Sequence, residues 1–143
     1  MLTDEDYRKL LAFRLGLRRF LRGSDEHVAA AGLTPAQHQL LLAIRGHPDP
    51  AGPSVGELAT YLSLRHNGAV QLINRVERLG LLTRTRAEDA DRRVVRLSLT
   101  PAGIELLAAL SAVHLEELHR LAPLVDALIE PTPAPDSGTG QER

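Results

Sequence analysis

The sequence contains no cysteine, and this absence removes several classes of chemistry at once. A chain without thiols has no disulfide, no thiolate zinc site, no iron–sulfur ligation and no thiol-based redox switch of its own. A reducing cytoplasm is the simplest environment for such a protein, and we expect it there.

Long apolar runs are also absent. No stretch approaches the roughly 20 residues that cross a bilayer, and the opening MLTDEDYRK is acidic and polar rather than a basic flank before an apolar segment. We therefore expect a protein that is neither secreted nor embedded in a membrane.

Motifs that carry catalysis or cofactors are missing too. The chain has no glycine-rich phosphate loop, no H-E-x-x-H motif and no nucleophile elbow. With 143 residues, of which 43% are hydrophobic and 24% charged, the length fits one compact domain. The expectation is a single-domain protein that is not an enzyme and has no cofactor.

Charge is unevenly distributed along the chain, although the formal net charge is only −1. Residues 61–100 contain eight basic and four acidic residues, whereas residues 101–143 contain two basic and seven acidic ones. Because a partner responds to the local field rather than to the total charge, a basic middle of this kind suggests a surface that faces a polyanion.

Apolar residues at helical spacing predict four helices in the first 80 residues. The first runs from about Asp4 to Ala31. The next two open on capping boxes, and the fourth has an apolar face opposite a polar one. The second helix starts at Thr34, Pro35 and Gln37 and ends near Gly46. The third starts at Ser54 and Glu57, and the fourth runs from near Asn67 to Gly80.

The period of the pattern then changes from 3.6 to 2. Two segments, Leu82 to Arg86 and Val94 to Leu99, predict a hairpin whose polar tip spans Ala87 to Arg93. A cap-and-proline start at Thr100 predicts a further helix to about Ala122, followed by a short one over residues 124–130. The proline-rich segment 131–143 is expected to be disordered.

The final helices carry two apolar stripes on different faces. One contains Ile104, Leu107, Leu118 and Leu121, and the other Leu106, Leu110 and Val113. A helix that is apolar on two sides needs two surfaces to pack against. A second copy of the chain is the economical partner, and the alternative is that these helices close a single monomeric core.

The order of helix, tight turn, helix and charged hairpin between Ser54 and Leu99 is that of a winged helix-turn-helix. The segment VGELATYLSLRHNGAVQLINRVERLGLLTRTRAEDADRRVVRLSLTPAG resembles the DNA-binding half of the MarR family of bacterial transcriptional regulators. Small Ala59, inward Ala69 and Leu72, and Ser63 in the turn fit this fold, although Gly is the more usual turn residue. The wing sequence that ends in LSLTPAG is the most specific part of the likeness.

The resemblance implies a mainly α fold with a small β-hairpin wing. The winged helix-turn-helix would span about residues 34–100 of a domain over residues 1–130, with dimerisation helices at about 4–31 and 101–130. The implied function is a sequence-specific, ligand-responsive repressor that binds double-stranded DNA as a homodimer on a pseudo-palindromic operator. Two-fold related half-sites then lie roughly 34–36 Å apart.

Candidate DNA contacts fall on the fourth helix and the hairpin. The first helical turn can meet phosphate or base edges, and wing arginines can enter a narrow minor groove. The outward side of the helix can read adenine or guanine through Gln71 and Arg75, and the alternative is that these two side chains are only solvated helix surface. Asp91 would brace the wing. Arg84, Arg86 and Arg96 would attract phosphate or pair with Glu88 and Asp89. The predicted contacts are Arg65, His66, Asn67, Gln71, Arg75, Arg84, Arg92 and Arg93.

Three further interpretations remain open on the sequence alone. Family members respond to small molecules, and a pocket for an unidentified effector could be lined by Phe13, Arg18, His38 and Leu42. A metal site is disfavoured, because His114 and His119 are five residues apart rather than four. A winged helix can also serve protein–protein contact without specific DNA binding.

Overall fold

The computed structural model describes residues 1–86 and 94–130, which form five helices and one antiparallel hairpin. This architecture confirms the predicted mainly helical fold with a hairpin before the last helix. No helix in these two ranges is long and apolar enough to span a bilayer. The elements are α1 (Asp4–Ala30), α2 (Pro35–Gly46), α3 (Val55–Leu62), α4 (His66–Arg78), β1 (Leu82–Arg86), β2 (Val95–Leu99) and α5 (Pro101–Ile129).

Hydroxyl side chains cap four of the five helices. Thr34 and Ser54 accept hydrogen bonds from the backbone N–H three residues on, while Gln37 and Glu57 reach back to the cap, so both predicted capping boxes are present. Thr3 caps α1 in the same way, and Thr100 caps α5. The helix starts were therefore predictable to within a residue or two.

The apolar core lies between α2, α3, α4, the hairpin and the first half of α5. Leucines and other aliphatic side chains from all these elements are buried in one cluster. Helix α1 contributes a single buried residue, Val28, from its last turn. The rest of α1 extends along α5. The buried cluster includes Leu40, Leu41, Leu58, Ile73, Val76, Leu82, Leu97, Leu107 and Leu110.

Helices α1 and α5 approach each other closely at Gly16. A Cβ atom at this position would lie 2.6 Å from Leu124 Cδ1 and 2.8 Å from Leu121 Cδ1. A larger residue at this position would require both leucine methyl groups to shift. Further along, Gly23 faces Glu117 and Ser24 contacts His114, so the two helices run antiparallel.

The predicted break of the last helix at Pro123 is wrong, because α5 continues from Pro101 to Ile129. Proline removes one backbone hydrogen bond and crowds the preceding turn, which disfavours an isolated helix. Here Leu121 and Leu124, on either side of the proline, both pack on Gly16 of α1. Tertiary packing on both sides holds the helix together through the proline.

The two predicted apolar stripes of α5 have different environments. Leu106, Leu110 and Val113 are buried or half-buried, so this stripe packs on the chain's own core. The other stripe is divided, since Leu107 and Leu121 are buried while Ile104 and Leu118 are exposed. Much of the apolar surface of α5 is thus left uncovered in one copy of the chain.

The turn between α3 and α4 is made by Ser63, which has φ 53° and ψ 40° and is the only non-glycine residue with positive φ in the described ranges. This geometry matches the expectation that the turn would favour glycine. A left-handed conformation costs an L-residue roughly 1–2 kcal/mol. The serine therefore stores strain at the centre of the helix-turn-helix.

Replacement of Ser63 by Gly should relieve this strain. We expect the free energy of unfolding to rise by about 0.5–1 kcal/mol, because part of the gain is offset by greater freedom of glycine in the unfolded chain. Urea denaturation measures the change. Gly80→Ser is the matched control: Gly80 has φ 75° and open space around it, so this variant should lose about 1 kcal/mol. A less stable Ser63→Gly protein would contradict the interpretation.

Candidate nucleic-acid interface

Helix α4 is fixed in the molecule by its apolar side. Ala69, Leu72, Ile73 and Val76 are buried, as their spacing predicted, and α4 packs against α2, α3 and β1. Ala59 on α3 is also buried, which agrees with its predicted place where two helices cross. Because one side of α4 is buried in the core, the residues on its opposite side face solvent.

Five of the predicted DNA contacts lie either on this opposite side or at the start of the helix. All five are exposed: Arg65, His66, Asn67, Gln71 and Arg75. Arg65 is the N-cap and makes no side-chain hydrogen bond to the helix, unlike the hydroxyl caps of the other four helices. The first N–H groups of α4 are thus left without a side-chain acceptor, and they add positive potential to the exposed cationic end.

Arg84 has partners that the sequence did not suggest. Its Nε donates to Glu77 Oε2 at 3.2 Å and its Nη2 donates to Asn74 Oδ1, so β1 is tied to α4. From the sequence, Arg84 was expected to attract phosphate or to pair with Glu88 or Asp89, and its contacts with α4 were not predicted. The predicted wing residues Asp91, Arg92 and Arg93 lie outside the described residues, as do Glu88 and Asp89.

Arg96 is likewise engaged within the protein. Its Nη1 donates to Glu57 Oε1 and to the carbonyl oxygen of Gly52, both at 3.2 Å. The sequence did not suggest these contacts, by which the half-buried guanidinium connects β2 to the start of α3. Arg86, by contrast, is exposed and has no ion pair with another described residue.

Glu57 is the centre of a polar network at the base of the hairpin. Besides Arg96, its carboxylate contacts His47 Nε2 at 3.1 Å, and His47 Nδ1 lies 2.9 Å from Tyr61 Oη. The backbone N–H of Ser54 holds the pKa of Glu57 below its ordinary value; burial opposes this, while the Ser54 hydroxyl, His47 and Arg96 reinforce it. The capping box was visible in the sequence, but this network required the tertiary structure.

The residues predicted for an effector pocket do not line either of two cavities in the described part of the chain. Phe13 and His38 are half-buried, whereas Arg18 and Leu42 are exposed. One cavity, of about 380 Å³, lies between α1 and α5. A second, of about 280 Å³, lies between the α2–α3 loop, β2 and α5. The first is lined by Gly16, Arg19, Phe20, Glu117, Arg120, Leu121 and Leu124.

Four of the six histidines contact other described side chains. His38 and His114 contact each other edge to face, with ring centroids 5.0 Å apart, and His114 Nε2 lies 3.1 Å from Ser24 Oγ. His27 lies beside Glu117, and His47 beside Glu57. Within residues 1–86 and 94–130, no three metal-binding side chains converge.

The contact between His38 and His114 joins α2 to α5, and Ser24 adds a contact from α1. Burial lowers the pKa of His38 below the ordinary value of 6.5, His114 lowers it further, and Asp25 raises it. The folded protein therefore takes up a proton here less readily than the unfolded chain does. Stability from this site is present above about pH 6.5 and is lost as the pH falls.

We expect the urea concentration at the unfolding midpoint to be lower at pH 5.5 than at pH 7.5. The decrease should be smaller in His38→Gln, because this variant lacks the buried group that resists protonation. His119→Gln is the matched control, since His119 is an exposed histidine on α5. It should retain the full drop. An equal drop in His38→Gln and wild type would assign the pH dependence to other groups.

Comparisons with known proteins agree with this architecture. Residues 31–93 match the model of the MarR family. No curated protein matches the sequence significantly. Several solved structures have the same fold at 22–24% sequence identity.

One of these is MepR, described as a transcription regulator of the Staphylococcus aureus multidrug efflux pump MepA, with a TM-score of 0.66, 22% identity and coverage of 78% of this chain and 80% of MepR. A S. aureus MepR–DNA complex matches with a TM-score of 0.64 and 22% identity over 79% of this chain and 81% of the other. YusO from Bacillus subtilis matches with a TM-score of 0.66 and 24% identity over 84% and 83%. Residues 31–93 are therefore similar to the MarR family, and the chain has the fold of these solved structures.

Proposed function

We propose that this protein is a transcriptional regulator that binds double-stranded DNA through α4. The observation that carries the proposal is that α4 buries its apolar side, while Gln71 and Arg75 on the other side are exposed. The residues at the start of the helix, Arg65, His66 and Asn67, are exposed as well. These side chains supply guanidinium, imidazole and amide groups of the kinds that contact phosphates and read base edges in the major groove. MepR, which has the same fold, has been solved in complex with DNA.

The proposed active form is a homodimer. Residues 8–22 of α1 include six basic and no acidic residues, whereas residues 105–130 include five acidic and one basic. Helix α1 of one copy therefore complements α5 of another in charge as well as in apolar surface. The large exposed apolar side chains of these helices are Tyr7, Leu10, Leu11, Leu15, Leu21, Ile104, Leu115, Leu118 and Ile129.

The proposal extends to repression and to control by a small molecule. A dimer bound across a promoter excludes other proteins from the same DNA, which favours a repressor. The cavity between α1 and α5 combines apolar Phe20 and Leu124 with the charged groups of Arg19 and Glu117, a mixed lining that suits a small ligand. Release of DNA on addition of such a ligand would support this part of the proposal.

The DNA-binding proposal is tested by fluorescence anisotropy with duplex fragments from upstream of the protein's own gene, at two salt concentrations. We expect a dissociation constant of roughly 10⁻⁸ M or below for one fragment and a steep loss of affinity with salt, because phosphate contacts release counterions. Binding that is weak, indifferent to sequence and insensitive to salt would favour the alternative, a winged helix used for protein–protein contact.

If Arg75 contacts a base edge as proposed, Arg75→Ala should weaken binding to the preferred fragment by about tenfold or more and reduce discrimination against a scrambled duplex. Arg8→Ala is the control, since Arg8 is an exposed arginine near the start of α1 whose partner is Glu5. This control should bind like wild type. Equal affinity of Arg75→Ala and wild type would remove Arg75 from the interface.

The dimer is tested by sedimentation. Wild type should have twice the 15.6 kDa mass of one chain, and Leu118→Asp should shift the protein to monomer, because a carboxylate would be desolvated in the interface. Leu64→Asp is matched in exposure, at 40% for Leu64 against 43% for Leu118, but it lies in the α3–α4 turn. It should remain dimeric. A monomeric wild type would exclude the proposed assembly.

A further inference from the structure

The hairpin has few apolar contacts to hold it in place. Only Leu82 of β1 and Leu97 of β2 are buried, while the remaining four residues of β1 are exposed. A two-stranded hairpin on its own is marginally stable at best. The part of the stem beyond Leu82 needs other contacts to keep a fixed position on the helices.

Arg84 provides such a contact from β1. Side chains alternate along a strand, so Arg84 lies on the same face as Leu82, the face that turns toward the core. From there it reaches α4, where Asn74 and Glu77 are three residues apart and so lie on the same side of the helix. The planar guanidinium donates to the amide oxygen of Asn74 and to the carboxylate of Glu77 at once. We call this group the Arg84 clamp.

The clamp joins the two parts of the molecule that would have to meet one duplex together. Asn74 follows Gln71 on α4 and directly precedes Arg75, and β1 continues into the hairpin. A fixed distance between α4 and the hairpin avoids the entropic cost of ordering them at binding. Because its Nε and Nη2 are engaged, one of them on a carboxylate, the guanidinium has fewer N–H donors left for a phosphate.

We propose that Arg84 is a positioning residue, which sets the hairpin on α4 through Asn74 and Glu77, and is not itself a DNA contact. This inference rests on the proposed function and revises the expectation that Arg84 attracts phosphate. In this proposal, Asn74 and Glu77 accept hydrogen bonds that hold the hairpin against α4. Arg86 lies two residues further along the same face of β1. It has no ion pair with another described residue, so it does not hold the hairpin in this way.

The test separates the contact from the charge by comparing two replacements of Glu77. Both Glu77→Gln and Glu77→Ala remove the negative charge, but only Gln keeps an oxygen that can accept from Arg84. If Arg84 positions the hairpin, Glu77→Ala should bind the upstream duplex about five- to tenfold more weakly than Glu77→Gln. If Arg84 contacts phosphate, both variants should bind alike and more tightly than wild type, which would overturn the inference.

Variants of Arg84 give a second reading. Arg84→Lys keeps the charge but cannot hold both acceptors, so it should resemble Arg84→Ala in affinity, and the salt slope should stay at the wild-type value in both. A phosphate contact predicts instead that Arg84→Lys retains affinity and that Arg84→Ala lowers the slope by about 0.9. The double variant Glu77→Ala/Arg84→Ala should be no weaker than either single change.

Hydrogen exchange of the free protein tests the clamp without DNA. Amides of Leu82–Arg86 should exchange about tenfold faster in Arg84→Lys and Glu77→Ala than in wild type, whereas Arg86→Ala should leave them nearly unchanged. Unchanged protection in the first two variants would overturn the inference. Increased exchange in a protein that binds no duplex would retain the clamp as a contact within the fold and reject DNA binding as its purpose.

Discussion

Burial of one side of α4 is the constraint on which the rest of this molecule depends. Ala69, Leu72, Ile73 and Val76 pack against α2, α3 and β1, and this packing determines the rotation of α4 about its own axis. A helix rotated by one residue, about 100°, would expose apolar surface and bury Gln71 or Arg75. The polar side is thus directed outward by the same contacts that stabilise the fold.

A second layer of polar contacts places the hairpin. Each strand sends one arginine to the helix-turn-helix, Arg84 to α4 and Arg96 to Glu57 at the start of α3. The two arginines belong to adjacent residue pairs of the hairpin, since Arg84 pairs with Leu97 and Arg96 pairs with Thr85. The hairpin is therefore tied to both helices of the motif, although it contributes little to the apolar core.

The long helices serve a different purpose. Helix α1 packs mainly on α5, and Gly16 permits a close approach to Leu121 and Leu124. Such a pair of helices, with leucines exposed along both members, is incompletely buried in a single chain. The compact lobe and the extended helix pair thus divide the work that we propose for this protein, recognition in the first and assembly in the second.

The amino-acid pattern alone determined the helix starts, the hairpin and the outward side of α4, because capping, period and amphipathicity are local properties. It determined Ser63 as the strained turn for the same reason. The path of α5 through Pro123 was decided by leucines that pack on Gly16, a contact about 100 residues away in the chain. The partners of Arg84 and Arg96, and the contact of His38 with His114, were also decided only in the tertiary structure, because a charge in a sequence does not specify which distant group will lie within reach.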